Sequence, residues 1–193
     1  MKSIAVFCAS RLGNDKVYEE AASQVGTLLA QQNYRIIYGG GRVGLMGALA
    51  DAALDAGGEV VGVIPHFLDE KEVAHKSLSE LIMVESMHER KMKMSMLSDA
   101  VLTLPGGFGT LEELTEMLTW SQLALHRKPI GIYNLNGYYD HMECLFDAML
   151  EKDFLTSQTR KIAIFDHEIE PLLKKMEQFE PQHLKGWLDQ DKT

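Results

Sequence analysis

The chain is short of cysteine, of positive charge and of long apolar runs, and each shortage removes a class of protein. Only Cys8 and Cys144 occur, far apart in the sequence. Two distant cysteines make neither a disulfide framework nor a metal-ligand spacing, and both are expected as buried thiols in a reducing compartment. The seven histidines form no H-E-x-x-H or other metal-binding pattern, so no metal and no cofactor are expected. Lys and Arg number 19 against 28 Asp and Glu, a net charge of −9. An acidic chain lacks the diffuse positive field that holds polyanions, so nucleic acid is not an expected partner. A small phosphorylated ligand stays compatible, because one local anion site suits an acidic protein. No run approaches the roughly 20 apolar residues of a membrane span. The apolar run 4–8 between Lys2 and Arg11 is too short for a secretory core and reads as a strand. A cytoplasmic protein with no membrane partner is the expectation.

What the chain does have is an ordinary globular composition, 46% apolar and 24% charged in 193 residues. That length predicts one domain with a sizeable core. We place it at residues 1–181, followed by a short polar extension at 182–193. Apolar strand-length runs occur at 4–8, 35–38, 60–64, 100–104, 129–133 and 162–165. Between most of them lie helix-length segments, at 15–32, 45–56, 89–98, 110–125, 139–152 and 168–179. The alternation predicts an α/β fold, a Rossmann-like parallel sheet with helices on both faces. The strands are continuously apolar, as strands covered on both sides should be. Met92, Met94 and Met96 read as packing residues. The segment 118–126 is apolar around much of a helix, which must then be buried; a homodimer through it is expected.

Ligands of open parallel sheets bind beyond the carboxyl ends of the strands, so the loops that follow the strands carry the functional reading. After the first comes Ala9-Ser10-Arg11-Leu12-Gly13-Asn14, where Ser10 and Arg11 could meet a phosphate or ribose and Asn14 or Asp15 could cap a helix. After the second comes Gly39-Gly40-Gly41-Arg42-Val43-Gly44-Leu45-Met46-Gly47. Glycines let backbone approach a ligand, which makes Gly40 and Gly41 candidates. Gly39, Gly41 and Gly44 formally match a dinucleotide fingerprint. Yet the next strand ends apolar, at Ile64-Pro65, without the acidic ribose anchor, and no Gly-Lys-Ser/Thr follows to make a P-loop. Close packing in a tight turn is the competing reading.

The most informative stretch is Leu104-Pro105-Gly106-Gly107-Phe108-Gly109-Thr110-Leu111-Glu112-Glu113. Pro105 ends a strand, three glycines free the backbone, and Thr110 is expected to open a helix whose N–H groups form an anion site. Thr110 and Glu113 also fit a capping box, with both glutamates in the first turn. Carboxylates beside an anion site would repel it, so they suggest work beyond phosphate binding. Upstream, Met87-His88-Glu89-Arg90-Lys91 opens another helix. Adjacent cations at a helix start oppose the dipole unless an anion lies nearby; a solvated charged face is the alternative.

These three motifs, in this order, resemble those of the LOG ("Lonely Guy") family. The stretch from Pro105 to Glu113 is similar to its PGGxGTxxE signature, Gly39 to Gly47 to its first glycine motif, and Met87 to Lys91 to its basic motif. The similarity runs from Ile4 to about Phe165. It implies a cytokinin riboside 5′-monophosphate phosphoribohydrolase, commonly dimeric and long labelled lysine decarboxylase. Such an enzyme splits the N-glycosidic bond of an adenine-type nucleoside 5′-monophosphate into free base and ribose 5-phosphate. The resemblance makes Arg90 and Glu113 the catalytic pair. It puts nucleotide contacts on Arg90, Lys91, Gly106, Gly107, Phe108, Gly109, Thr110, Leu111 and Glu112, with a further one on Glu72, and Met87 joins them from the basic motif. Phe108 stands where many relatives carry tyrosine, which loses a hydroxyl and keeps the ring.

The residues suit the chemistry. Breaking an N-glycosidic bond builds oxocarbenium character on the ribose, which a carboxylate such as Glu113 can stabilise while it orients water. Arg90 is expected to pair with Glu113 and hold it ionised. The phosphate is a remote handle that positions the sugar. A non-catalytic nucleotide or cofactor carrier on the same fold is the alternative. A pyridoxal phosphate-dependent decarboxylase would need a Schiff-base lysine, and none is evident.

Overall fold

The computed structural model describes residues 1–69 and 74–181. Along these, β1 (Ser3–Phe7), α1 (Lys16–Gln31), β2 (Arg35–Tyr38), α2 (Gly44–Asp55), β3 (Val60–Pro65) and α3 (His66–Asp69) come first. Then follow β4 (Glu80–Val84), α4 (Met87–Leu97), β5 (Ala100–Thr103) and α5 (Phe108–Gln122). The chain continues through β6 (Ile130–Tyr133), a 3-10 turn at Leu135–Gly137, α6 (Asp140–Glu151), α7 (Ser157–Arg160), β7 (Ala163–Asp166) and α8 (Ile169–Glu177). Glu72 and the extension at 182–193 lie outside the described residues.

The strands form one sheet in the order β4-β3-β2-β1-β5-β6-β7, each neighbour parallel to the next. The alternation of strand and helix predicted this Rossmann-like α/β fold. Successive strand side chains point to opposite faces, and both faces are apolar. Ile4 and Val6 pack with Val25 and Leu29 of α1, Leu49 and Ala53 of α2, and Leu172 of α8. Ala5 and Phe7 pack with Met94 of α4, Leu114 and Met117 of α5, and Phe146 of α6. Burial on both sides is what the unbroken apolar strands require. Helix α1 starts where Asp15 accepts a hydrogen bond from the Val17 N–H at 3.0 Å, a cap expected at this point.

Strand order grows outward from β1 to β4 and then restarts on the other side of β1 with β5. The loops leaving β1 and β5 therefore diverge and open a crevice at their carboxyl ends.

Four expectations are corrected. The sheet has a seventh strand, β4, which the sequence reading omits. It is an edge strand with Glu80 and Leu81 exposed, and its apolar run 81–84 is closed by Glu80 and Glu85. Helix α5 begins at Phe108, two residues before Thr110, with Gly107 as its N-cap, so the Thr110–Glu113 capping box does not form. Of the methionines on α4, Met94 is buried, while Met92 and Met96 are 50% and 74% exposed; they sit on the outer side of the helix. Cys8 is buried, but Cys144, on α6, is exposed.

Candidate active site

The ends of β1, β2, β3 and β5, with the first turns of α4 and α5, enclose a cleft of about 590 Å³. The first loop contributes Cys8, Ala9, Ser10 and Arg11, and the second contributes Gly39, Gly41, Val43 and Met46. Ile64 and Leu68 come from β3 and α3, Met87 and Arg90 from α4, and Gly107, Phe108, Gly109, Thr110, Glu112 and Glu113 from α5 and its cap. Of the residues predicted to touch ligand, Gly40, Lys91, Gly106 and Leu111 stand behind this wall rather than in it. The apolar members Val43, Met46, Ile64 and Leu68 were not predicted. The apolar end of the third strand was their one visible signal.

Helix α4 starts cleanly. The Ser86 hydroxyl accepts from the Glu89 N–H at 3.2 Å, and the Glu89 carboxylate accepts from the Glu85 N–H at 2.8 Å. This fixes Arg90 on the inner side, where it is buried. Its Nε donates to the Val63 carbonyl at 3.1 Å, and Nη2 lies 3.5 Å from Glu113 Oε1. The two side chains are 10% and 9% exposed. A Cβ at Gly39 would overlap Arg90 Nη2, so this glycine makes room for the guanidinium.

The expected pair thus forms, with a different balance of forces. Burial pushes the Glu113 carboxyl above its ordinary value, and neighbouring Glu112 adds to the rise; Arg90 only opposes it. Desolvation outweighs the ion pair. A carboxyl raised this way is better matched to proton transfer near neutral pH than an ordinary glutamate. Cys8 lies by the same pair, and burial, with Glu113, drives its thiol far up. A neutral thiol is no nucleophile.

Lys91, next to Arg90 on α4, is also buried. Its Nζ donates to Glu112 and, at 3.1 Å, to Glu116. The cations of the basic motif thus find their anions in α5, where the sequence alone suggested a ligand. Neither Glu112 nor Glu113 lies in the first turn of α5, where both are expected from the sequence.

The turn into α5 has another character. Burial of Thr110 forces Gly106, whose Cβ would overlap the threonine hydroxyl. Gly107 and Gly109 have nothing within 4 Å of where a Cβ would sit. The N–H groups of Phe108, Gly109 and Thr110 open the helix and have no intrahelical acceptor. They line the cleft, at the positive end of the α5 dipole. Phe108 is 92% exposed at the mouth. In the first glycine loop, which also lends Gly39 and Gly41 to the cleft wall, the later glycines serve packing: Gly44 at φ +65° would strike the Ser10 backbone, and Gly47 the Arg42 carbonyl.

Among the described residues no group of three or more His, Cys, Asp or Glu side chains could hold a metal ion, and no helix is long and apolar enough to cross a membrane.

With this geometry in view, residues 46–176 match the model of a family described as "Possible lysine decarboxylase". The chain is 46% identical over 180 residues to the probable cytokinin riboside 5′-monophosphate phosphoribohydrolase LOGL1 of Oryza sativa subsp. japonica, covering 93% of this chain and 81% of that protein. It is 42% identical over 184 residues to the cytokinin riboside 5′-monophosphate phosphoribohydrolase LOG1 of Arabidopsis thaliana, covering 95% and 86%. Among solved structures, the molybdenum cofactor carrier protein of Chlamydomonas reinhardtii superposes with a TM-score of 0.69 at 17% identity, over 91% of this chain and 96% of that one. That likeness concerns the fold alone.

Proposed function

The chain belongs to the LOG family of cytokinin riboside 5′-monophosphate phosphoribohydrolases, and from that membership we propose that it hydrolyses the N-glycosidic bond of adenine-type nucleoside 5′-monophosphates. The products are the free base and ribose 5-phosphate. One observation carries the assignment to this cleft: a buried Arg90–Glu113 pair faces the same space as the unpartnered N–H groups that open α5. An anion site beside a lone buried carboxylate suits a substrate with a phosphate at one end and a developing cation at the other.

In this reading the 5′-phosphate rests on the N–H groups of Gly107, Phe108, Gly109 and Thr110, with the Thr110 hydroxyl beside them. Ser10 and Arg11 reach it from the facing loop. The ribose then lies over Glu113. The C1′–N bond breaks with its electron pair going to the base, and positive charge on C1′ is stabilised by the Glu113 carboxylate. The oxygen of a water molecule bonds to C1′ and Glu113 accepts its proton, while the departing base takes up a proton from solvent and Glu113 then returns its own to solvent, so the free base and the starting carboxylate are restored. Arg90, tied to Val63, holds Glu113 in place. Phe108 and the apolar wall of Val43, Met46 and Ile64 cover the base. No lysine lines the cleft among the described residues. The carrier alternative leaves the Arg90–Glu113 pair without a task.

The same reading takes the protein as a cytoplasmic homodimer. Helix α5 turns Leu114 and Met117 inward, while Leu118 and Trp120 stay half-buried and Leu125, just beyond its end, is 63% exposed. Leu118 also lines an apolar groove with Phe146, Met149 and Leu155, which supports a second copy docking there.

The test is incubation of the purified protein with AMP and with isopentenyladenosine monophosphate, followed by chromatography of the released bases. Base release is expected with at least one of them, and Glu113→Gln should slow it by about 10²-fold or more while nucleotide still binds. No base from either substrate contradicts the reaction. Turnover of Glu113→Gln within a few-fold of wild type contradicts the role of the carboxylate.

A further inference from the structure

The adjacent tyrosines Tyr138 and Tyr139 belong to none of the sequence motifs, and neither lines the cleft. Both nevertheless bond to the backbone of the loop that enters α5. The Tyr138 hydroxyl donates to the Gly106 carbonyl at 2.6 Å, and the Tyr139 hydroxyl donates to the Leu104 carbonyl at 2.8 Å. Their own placement is firm. Asn134, fully buried at the end of β6, accepts from the Tyr139 N–H at 2.7 Å and donates to Asp140 at 2.8 Å. The chain reverses between them through Asn136 and Gly137, both at positive φ.

A trans peptide points its C=O and N–H in opposite directions. Anchoring the Gly106 carbonyl on Tyr138, outside the cleft, turns the Gly107 N–H away from Tyr138, and Gly107 is a cleft residue. The tyrosine hydroxyl thereby sets the direction of a loop dipole without touching any ligand. The Tyr138 ring also meets Tyr18 edge-on at 5.8 Å and Tyr139 at 4.8 Å. Tyr18 packs close enough to Gly13 that a Cβ there would sit 2.9 Å from its ring. Gly13 lies in the loop that carries Ser10 and Arg11. One aromatic row therefore braces both loops that face each other across the cleft.

We infer that Tyr138 is a positioning residue for the 5′-phosphate site, acting through the Gly106–Gly107 peptide. The inference rests on the reading of that loop as the phosphate grip. Because Tyr138 is 44% exposed, Tyr138→Phe keeps the ring row and removes only the hydroxyl.

The experiment compares wild type with Tyr138→Phe in steady-state kinetics on AMP, in calorimetric binding of ribose 5-phosphate, in inhibition by adenine and in thermal melting. Loss of one neutral hydrogen bond corresponds to about a five- to tenfold change. KM for AMP and the Kd of ribose 5-phosphate should each rise by that factor, while kcat, adenine inhibition and Tm stay as in wild type. Unchanged KM and Kd would overturn the inference. So would a uniform loss of all four readouts, the mark of a merely structural residue. If wild type cleaves no nucleotide, the proposed reaction falls, and ribose 5-phosphate binding still decides the role of Tyr138. Failure of wild type to bind ribose 5-phosphate overturns both.

Discussion

The two glycine-rich loops look alike in sequence and do opposite things in the fold. In the first, the missing side chains are replaced by the protein itself: Arg90 fills the space at Gly39, Ser10 that at Gly44, and Arg42 that at Gly47. In the second, Gly107 and Gly109 face open space at the mouth of the cleft. Glycine in the first loop lets protein approach protein; in the second it leaves room for something that is not protein. The formal G-x-G-x-x-G pattern falls on the loop where Gly39 and Gly44 are packed against protein, so glycine spacing by itself does not tell which loop is open to a ligand.

That contrast can be broken by paired substitutions. Gly44→Ala places a Cβ against the Ser10 backbone at a left-handed φ of +65°, and should destabilise the fold by about 2 kcal/mol or more. For a chain of this length that lowers Tm by roughly 4–8 °C. Gly107→Ala meets nothing and has an ordinary φ of −92°, so its Tm should match wild type. Its KM for AMP should instead rise by about tenfold, the cost of a weakened charge-assisted hydrogen bond or two. Thermal melts and initial rates on both variants check this. If Gly107→Ala melts as low as Gly44→Ala, the loops do not differ as described.

A smaller effect sharpens the same comparison at the carboxylate between the loops. Burial holds the folded Glu113 carboxyl above its unfolded value. Its favourable contribution is therefore complete below the unfolded pKa, near 4.5, and is lost as pH rises through the folded one. Wild type should lose stability relative to Glu113→Gln as pH climbs from about 4.5 toward neutrality. Parallel melts over that range measure it; a constant difference would mean that Arg90 cancels the burial.

Much of this was legible in the residues. Six of seven strands announce themselves as apolar runs: the five inner ones, which are covered on both faces, and the edge strand β7. The other edge strand, β4, escapes although 81–84 is apolar, because Glu80 and Glu85 close it on both sides and its first residues are exposed. Arg90, Glu113 and the turn into α5 are legible because their residue types are odd for their places: cations at a helix start, carboxylates near an anion site. What the sequence hides is who answers whom. It cannot tell that Lys91 reaches Glu112 and Glu116, that burial outweighs Arg90 at Glu113, or that Tyr138 and Tyr139 hold the Gly106 and Leu104 carbonyls. Those facts depend on distances across the sheet. The start of α5 is misread by two residues because a glycine N-cap carries no side-chain signature.

The central claim is that the turn into α5 grips a 5′-phosphate. The most direct measurement is the initial rate with AMP and with adenosine at matched concentration, without added metal. Losing the phosphate leaves the loop N–H groups and nearby cations without their partner. With two or three charge-assisted bonds at roughly 1.5–3 kcal/mol each, kcat/KM for adenosine should fall below that for AMP by at least about 10²-fold. Comparable rates for the two would contradict the claim.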